Sequence, residues 1–194
     1  MSGKAYANRK KESERPDNDY YPTPSCMIEA LLESGLFLYF LDNPILDPCC
    51  GKYAIGNVLK KHGFNNIKET DVIYGQDFLT VPIPEEPVYD AIIMNPPFKL
   101  FDQFVERAKK FAYNVYSIGK LNYFGGHNRN INGLWDKLMY VLPFDRMIAF
   151  DKSEDENGKV ETGMMVTGWF IWRRDYNGLP MIKVLDMQKY IKRK

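Results

Sequence analysis

The segment Tyr89-Asp90-Ala91-Ile92-Ile93-Met94 runs directly into Asn95-Pro96-Pro97-Phe98. A continuous apolar stretch of this length reads as a strand buried in the core of a sheet. Two adjacent prolines remove backbone donors and fix φ, so the strand ends at Met94. A chain with such a strand needs cover on the sheet's faces and must leave the sheet at one defined point.

The surrounding pattern supplies that cover. Short apolar strands are expected at Pro44–Asp47, Asn66–Val72, Asn114–Ile118, Arg146–Phe150 and Met165–Trp172. Between them lie helix-length amphipathic segments: Ser25 to Glu33 with Ser25 as N-cap and Gly35 as stop, Ile55 to His62 ended by Gly63, and Asp102 to Ala112. Strands interleaved with helices predict an α/β fold with a largely parallel sheet. The short connections after Arg146, and a polar loop at Asp151–Gly163, predict an antiparallel end.

Length and charge narrow the function classes. The 194 residues suit one domain, and 26 Lys plus Arg against 25 Asp plus Glu leave a formal charge of +1, which excludes a basic nucleic-acid-coating protein. Residues 1–18 are polar and mixed in charge and read as a flexible arm, leaving 19–194 as a single folded domain. The longest strongly apolar run, Leu36 to Leu41, is far short of the roughly 20 residues that span a bilayer. No apolar signal segment follows the N-terminus, so a cytoplasmic location without membrane contact is expected. Three cysteines, two of them adjacent, match neither a disulfide framework nor a zinc-site spacing, so no metal is expected.

Ligands in open α/β sheets bind beyond the carboxyl ends of the strands. Two unusual strings stand at such ends: Asp47-Pro48-Cys49-Cys50-Gly51 and Asn95-Pro96-Pro97-Phe98. The prolines hold the Pro96 carbonyl in one direction, and the Asn95 side chain offers a second acceptor beside it. Two convergent acceptors suit a planar NH2 group with two hydrogens to give. Phe98 adds a flat face on which a base can stack. The combination fits alkylation of an exocyclic amine.

At these residues the chain resembles the S-adenosylmethionine-dependent DNA N6-adenine methyltransferases of the short phage and prophage type, over about Asp19 to Asp186. The resemblance implies a Rossmann-like methyltransferase fold with helices on both faces of the sheet and S-adenosylmethionine as cofactor. Tyr21-Pro22-Thr23-Pro24 is similar to the family's first cofactor motif, with Tyr21, Thr23 and Pro24 near the methionine carboxylate. Asp47, Pro48, Cys49 and Gly51 resemble the loop that wraps the methionine moiety. Asp71 matches the acid that takes the ribose hydroxyls, and Asp77 and Phe78 the element that takes the adenine. Asn95, Pro96, Pro97 and Phe98 match the catalytic tetrapeptide. Each carried-over residue also has a plain structural reading: Asp71 as a loop acid, Thr23 as a residue near a helix cap, Phe78 as core, Cys49 and Cys50 as small fillers.

One position departs from the family pattern. Its loop has a second glycine two residues after the first, and Tyr53 stands there instead. The ring must turn aside, cover the cofactor differently or block it. The function implied is methylation of adenine N6 in DNA, on a flipped or single-stranded base. The same tetrapeptide would serve an RNA or protein-glutamine methyltransferase, and Tyr53 leaves open a non-catalytic binding module of the same fold. Only 22 residues follow Trp172, too few for a separate target-recognition domain, so base reading falls to loops. Asn122–Asn132, with His127, Asn128 and Arg129, is the candidate contact to DNA, and a plain surface loop is its other reading. That leaves a short site, little specificity or dependence on a protein partner; the oligomeric state is not readable from the sequence.

Overall fold

A computed structural model of the chain describes residues 22–37, 41–150 and 152–192. The expected arm at 1–18 and the candidate site residue Tyr21 lie outside the described residues. In chain order the elements are α1 (Ser25–Glu33), β1 (Ile45–Asp47), α2 (Ala54–Lys61), β2 (Ile67–Glu69), β3 (Tyr89–Met94), α3 (Phe101–Phe111), β4 (Ala112–Lys120), α4 (His127–Ile131), β5 (Leu138–Pro143), β6 (Thr167–Arg173) and β7 (Met181–Ile182), with short 3-10 turns between some of them. The strands form one sheet in the order β2-β1-β3-β4-β6-β5-β7. β1 to β4 are parallel, β6 pairs antiparallel with both β4 and β5, and β7 pairs parallel with β5. The sheet is mostly parallel, and the antiparallel character expected in its second half is carried by β6 alone.

β3 shows why the sheet needs two layers. Ala91, Ile92, Ile93 and Met94 are each 0% exposed. Ala91 and Ile93 face a cluster with Met27, Ile28 and Leu31 of α1 and Ile55, Val58 and Leu59 of α2. Ile92 and Met94 face the other way, among Phe101, Phe104, Val105 and Ala108 of α3. The same alternation sends Trp169 and Ile171 of β6 to the α1 side and Phe170 and Trp172 to the α3 side. Burial of each large apolar side chain contributes roughly 1.5–3 kcal/mol, and burial on both faces holds β3 in register and position.

Several elements depart from the sequence reading. Ser25 is the first residue of α1 and Pro24 its N-cap; the Ser25 amide and hydroxyl both bond the Glu154 carboxylate, so an anion from a distant loop caps the helix. The strand expected over Asn66–Val72 stops at Glu69, because the Asp71 carboxylate accepts from the Ile73 amide at 3.0 Å and starts a 3-10 turn. Arg146–Phe150 is not a strand; it makes one isolated antiparallel bridge, Ile148 to Thr162. The strand in that region is Leu138–Pro143, where a register shift between Leu138 and Tyr140 disturbs the two-residue alternation.

After β2 the chain returns across β1 to lay down β3 on the other side. The strand order therefore reverses between β1 and β3, and the crevice beyond their carboxyl ends is the expected ligand position. Asp47 ends β1 and Asn95 follows β3, one on each side of that reversal.

At the opposite half of the sheet β6 crosses close to β5. A Cβ on Gly168 would stand 2.5 Å from the Leu142 carbonyl oxygen and 2.8 Å from Pro143 Cα, whereas one on Gly125 would meet nothing within 4 Å. Gly168→Ala is expected to cost about 1–3 kcal/mol in urea unfolding, with Gly125→Ala within about 0.5 kcal/mol of the parent. Equal midpoints for the two variants would contradict this packing.

A candidate crevice at the carboxyl ends of β1 and β3

Asn95 leaves the sheet where β3 stops, and its Nδ2 donates to Thr23 Oγ1 at 3.1 Å. Thr23, 8% exposed, precedes α1. The bond joins residues 72 positions apart and fixes the plane of the Asn95 amide. Pro96 is buried, and Pro97 N-caps a short 3-10 turn, Phe98–Leu100, with the Leu100 amide donating to its carbonyl at 2.8 Å. Two successive prolines and this turn leave the segment little freedom.

Phe98 is half-buried and clamped from three directions. Phe150 meets its ring edge-on at 6.0 Å between centroids, Tyr123 Oη donates to its carbonyl at 3.1 Å, and Lys120 Nζ lies over the ring 4.3 Å from the centroid. Tyr123 follows β4 and Phe150 follows β5, so both long loops at this end of the sheet are fastened to the tetrapeptide.

Across the reversal lies a concentration of acid. Asp47 and Glu69 are register partners at the ends of β1 and β2. Asp47 is 1% exposed; its Oδ1 accepts from the Cys49 amide at 3.2 Å, while Oδ2 has no partner among the described residues. Glu69 Oε2 pairs with Lys60, and its Oε1 is buried without a partner among the described residues. Asp71 is fully engaged, with Oδ2 accepting from the Gly51 amide at 2.8 Å and Oδ1 from Ile73. Burial pushes the Asp47 carboxyl well above the usual carboxylate range, and Glu69 and Asp71 add repulsion. Burial also pushes up the Cys49 thiol, with Asp47 adding to it. Two buried carboxylate oxygens on adjacent strand ends are thus left without a donor among the described residues.

Tyr53 is the position that departs from the family pattern. It takes the left-handed conformation (φ 63°, ψ 27°) as N-cap of α2. Its ring stacks on Tyr74 with centroids 5.5 Å apart and planes 8° from parallel, and is 39% exposed. Tyr74 Oη in turn donates to the Gly51 carbonyl at 2.9 Å. The stacked pair thus braces the Gly51 loop, which keeps its own positive φ of 50°.

The remaining candidates are placed as follows. Pro24 and Pro48 are buried next to Thr23 and Asp47 in the chain. Asp77 Oδ1 accepts from the Leu79 amide at 2.9 Å in a tight turn. Phe78 is 4% exposed between Phe104 and Phe111, so its packing fixes that turn. The Asn122–Asn132 segment is a 3-10 turn followed by α4, with His127 and Asn128 exposed. Arg129 points inward, bonding Asp102 of α3 at 2.7 Å and lying over the Tyr123 ring. Sequence reasoning missed Glu69, Lys120, Phe150 and Glu154. Glu69 and Lys120 carried a readable signal, a charged residue ending a strand at the carboxyl edge; Phe150 and Glu154 reach the crevice only through the tertiary fold.

The raised Asp47 carboxyl predicts a pH signature. The folded state holds that proton more tightly than the unfolded chain, so stability falls as pH rises from the unfolded value through the folded one. Asp47→Asn is expected to raise the urea midpoint of the ligand-free protein at pH 8 relative to the parent, with the gain shrinking toward pH 4. A gain independent of pH would contradict the assignment.

No protein-family model matches the sequence, and no curated protein matches it. Solved structures do match in shape. A putative class I S-adenosylmethionine-dependent methyltransferase from Listeria monocytogenes aligns with a TM-score of 0.57 at 15% identity, covering 88% of this chain and 66% of that one. A type I restriction-modification methyltransferase subunit from Streptococcus thermophilus gives 0.59 at 12% identity over 90% of this chain and 48% of that one. A putative RNA methyltransferase from Pyrococcus horikoshii gives 0.56 at 14% identity over 82% and 88%. The chain thus spans just under two thirds of the Listeria protein and about half of the Streptococcus subunit. The shared feature is the fold: this chain has the Rossmann-like α/β architecture of these methyltransferases.

Proposed function

We propose that the chain is an S-adenosylmethionine-dependent methyltransferase acting on N6 of adenine in DNA, through a target base that is flipped or single-stranded. The observation that carries the reading is the Asn95–Thr23 hydrogen bond at the end of β3, across the strand reversal from the acid cluster. The fold shared with the Listeria methyltransferase and the restriction-modification subunit supports it.

The acid cluster suits this cofactor. The orphaned Asp47 Oδ2 and Glu69 Oε1 lack donors, and S-adenosylmethionine carries an ammonium, vicinal ribose hydroxyls and a sulfonium. Asp47, Glu69 and the braced Asp71 would hold it, with Thr23, Pro24, Pro48, Cys49 and Gly51 shaping the methionine end and Asp77 meeting the adenine amine. Tyr21 belongs to the same group by resemblance. Bound there, the cofactor would supply an electrophilic methyl group, its sulfonium sulfur leaving as a neutral thioether while the methylated amine loses one proton to solvent.

The protein's part is positioning and electrostatics. Thr23 takes one Asn95 N–H and thereby sets the direction of Asn95 Oδ1. Asn95 Oδ1 and the Pro96 carbonyl accept the two amine hydrogens, which leaves the nitrogen lone pair less delocalised into the base. Pro97 stiffens the turn, and Phe98 stacks on the base. Asn95 is thus a catalytic residue and Thr23 a positioning residue. Target reading falls to the exposed His127–Asn128 end of α4, held in place by Arg129, and a longer recognition site would require a protein partner.

Tritium transfer to random-sequence DNA, RNA and glutamine-bearing protein in parallel tests the substrate class, and label in DNA alone is the expected result. Asn95→Ala is expected to lower kcat by about 100-fold or more, roughly 3 kcal/mol. Thr23→Val should lower kcat about 5–10-fold, on the order of 1 kcal/mol, while calorimetry shows cofactor affinity within about twofold. A Thr23→Val loss confined to cofactor affinity would move Thr23 to the methionine site. Asp47→Ala is expected to abolish saturable heat with S-adenosylmethionine; unchanged binding would remove the acid cluster from the site.

A further inference from the structure

Tyr53 is one of two non-glycine residues with positive φ among the described residues, and it N-caps α2 in that left-handed conformation. An L side chain adopts it at a cost, so the surroundings must hold it there. Tyr74 does the holding. The two rings stack with planes 8° from parallel, although Tyr53 is 39% and Tyr74 47% exposed. Tyr74 ends the 3-10 turn Val72–Tyr74 that Asp71 starts, so the strained residue of one loop is fastened to the turn after β2.

The same turn takes both polar backbone groups of Gly51. The Gly51 amide donates to Asp71 Oδ2 at 2.8 Å, and the Gly51 carbonyl accepts from Tyr74 Oη at 2.9 Å. One residue earlier, the Cys50 amide donates to the Thr70 carbonyl at 3.0 Å. The Tyr53 hydroxyl, hydrogen-bonded to that of Tyr74, pushes the Tyr74 phenol up to about 12, so the proton that Gly51 accepts stays in place well above neutral pH. A glycine at position 53 would take the same φ without cost but would offer Tyr74 no ring.

Under the methyltransferase reading, on which this inference rests, the Gly51 loop shapes the methionine end of the cofactor site and Asp71 helps to hold the cofactor. We propose that Tyr53 and Tyr74 are positioning residues for S-adenosylmethionine: the stacked pair joins the Gly51 loop and the Asp71 turn into one rigid body, and so replaces the second glycine of the family rather than obstructing the ligand. A preformed loop loses less freedom on binding than a loose one, so the effect falls on cofactor affinity and leaves the transfer step unchanged.

Calorimetric titration of the full chain with S-adenosylmethionine, together with tritium transfer to a single-stranded oligonucleotide rich in deoxyadenosine, tests the proposal. Tyr74→Phe keeps the stack and loses the hydroxyl; it is expected to weaken cofactor binding about fivefold, the loss of one neutral hydrogen bond. Tyr53→Gly restores the family glycine and relieves the backbone, yet it should weaken binding about tenfold, because the ring that orients Tyr74 is gone. Tyr53→Phe keeps the ring and should bind within about twofold of the parent. The double variant Tyr53→Gly/Tyr74→Phe should bind no more weakly than Tyr53→Gly alone, since both changes act through one contact. In all of them the cofactor KM should rise in step with the loss of affinity while kcat at saturating cofactor stays within about twofold. Tighter binding by Tyr53→Gly would make Tyr53 an obstruction, parental binding by both single variants would make the pair a surface contact, and a fall in kcat at saturating cofactor would place it in the transfer step; each overturns the brace alone. Absence of saturable heat with the parent protein would overturn the methyltransferase reading and the brace with it.

Discussion

The burial of β3 between two layers of side chains fixes the point at which Asn95 emerges. Ala91 to Met94 contact α1 and α2 on one face and α3 on the other, so the strand can neither slide nor rotate without exposing large apolar groups on both. Asn95 inherits that rigidity, and Thr23 adds a tether from the start of α1. A site built on the end of such a strand is more precise than one carried by a loop. The two long loops at this end of the sheet are fastened to the same place, through Tyr123 and Phe150. Glu154, on the Phe150 loop, caps α1 beside Thr23, so loop, helix and tetrapeptide form one connected unit.

The crevice is electrostatically lopsided. Asp47, Glu69 and Asp71 gather on the β1–β2 side, and Lys120 stands on the β4 side over Phe98. The chain's near-zero net charge conceals this division, because the opposing groups cancel in the sum while remaining apart in space.

How much of this was readable beforehand depended on whether the signal was local. The bounds of β3, the alternation of strands and helices, and the placement of both motif strings at strand ends follow from short-range patterns, and the structure carries them. A bulge breaks the alternation of Leu138–Pro143 and hides that strand from a period-two pattern, whereas the apolar residues of Arg146–Phe150 mimic a strand but pack as irregular backbone. Ser25 looked like a self-capping serine because nothing in the sequence ties it to Glu154, 129 residues away. Tyr53 was ambiguous for the same reason: its stacking partner Tyr74 lies beyond β2, and only the folded chain brings the rings together. In the site, Thr23 and Asn95 were each legible, but their bond was not. Glu69 was overlooked in favour of Asp71, although the ladder sets Glu69 opposite Asp47.

The proposed reaction depends on a proline-braced pair of oxygens, from Asn95 and Pro96, grasping an adenine amine. The most direct measurement is mass spectrometry of nucleosides from host DNA after expression of the parent protein or of Asn95→Ala. N6-methyldeoxyadenosine above the background of the host is expected with the parent alone. Equal amounts with both proteins, or a methylated nucleoside other than that one, would contradict it.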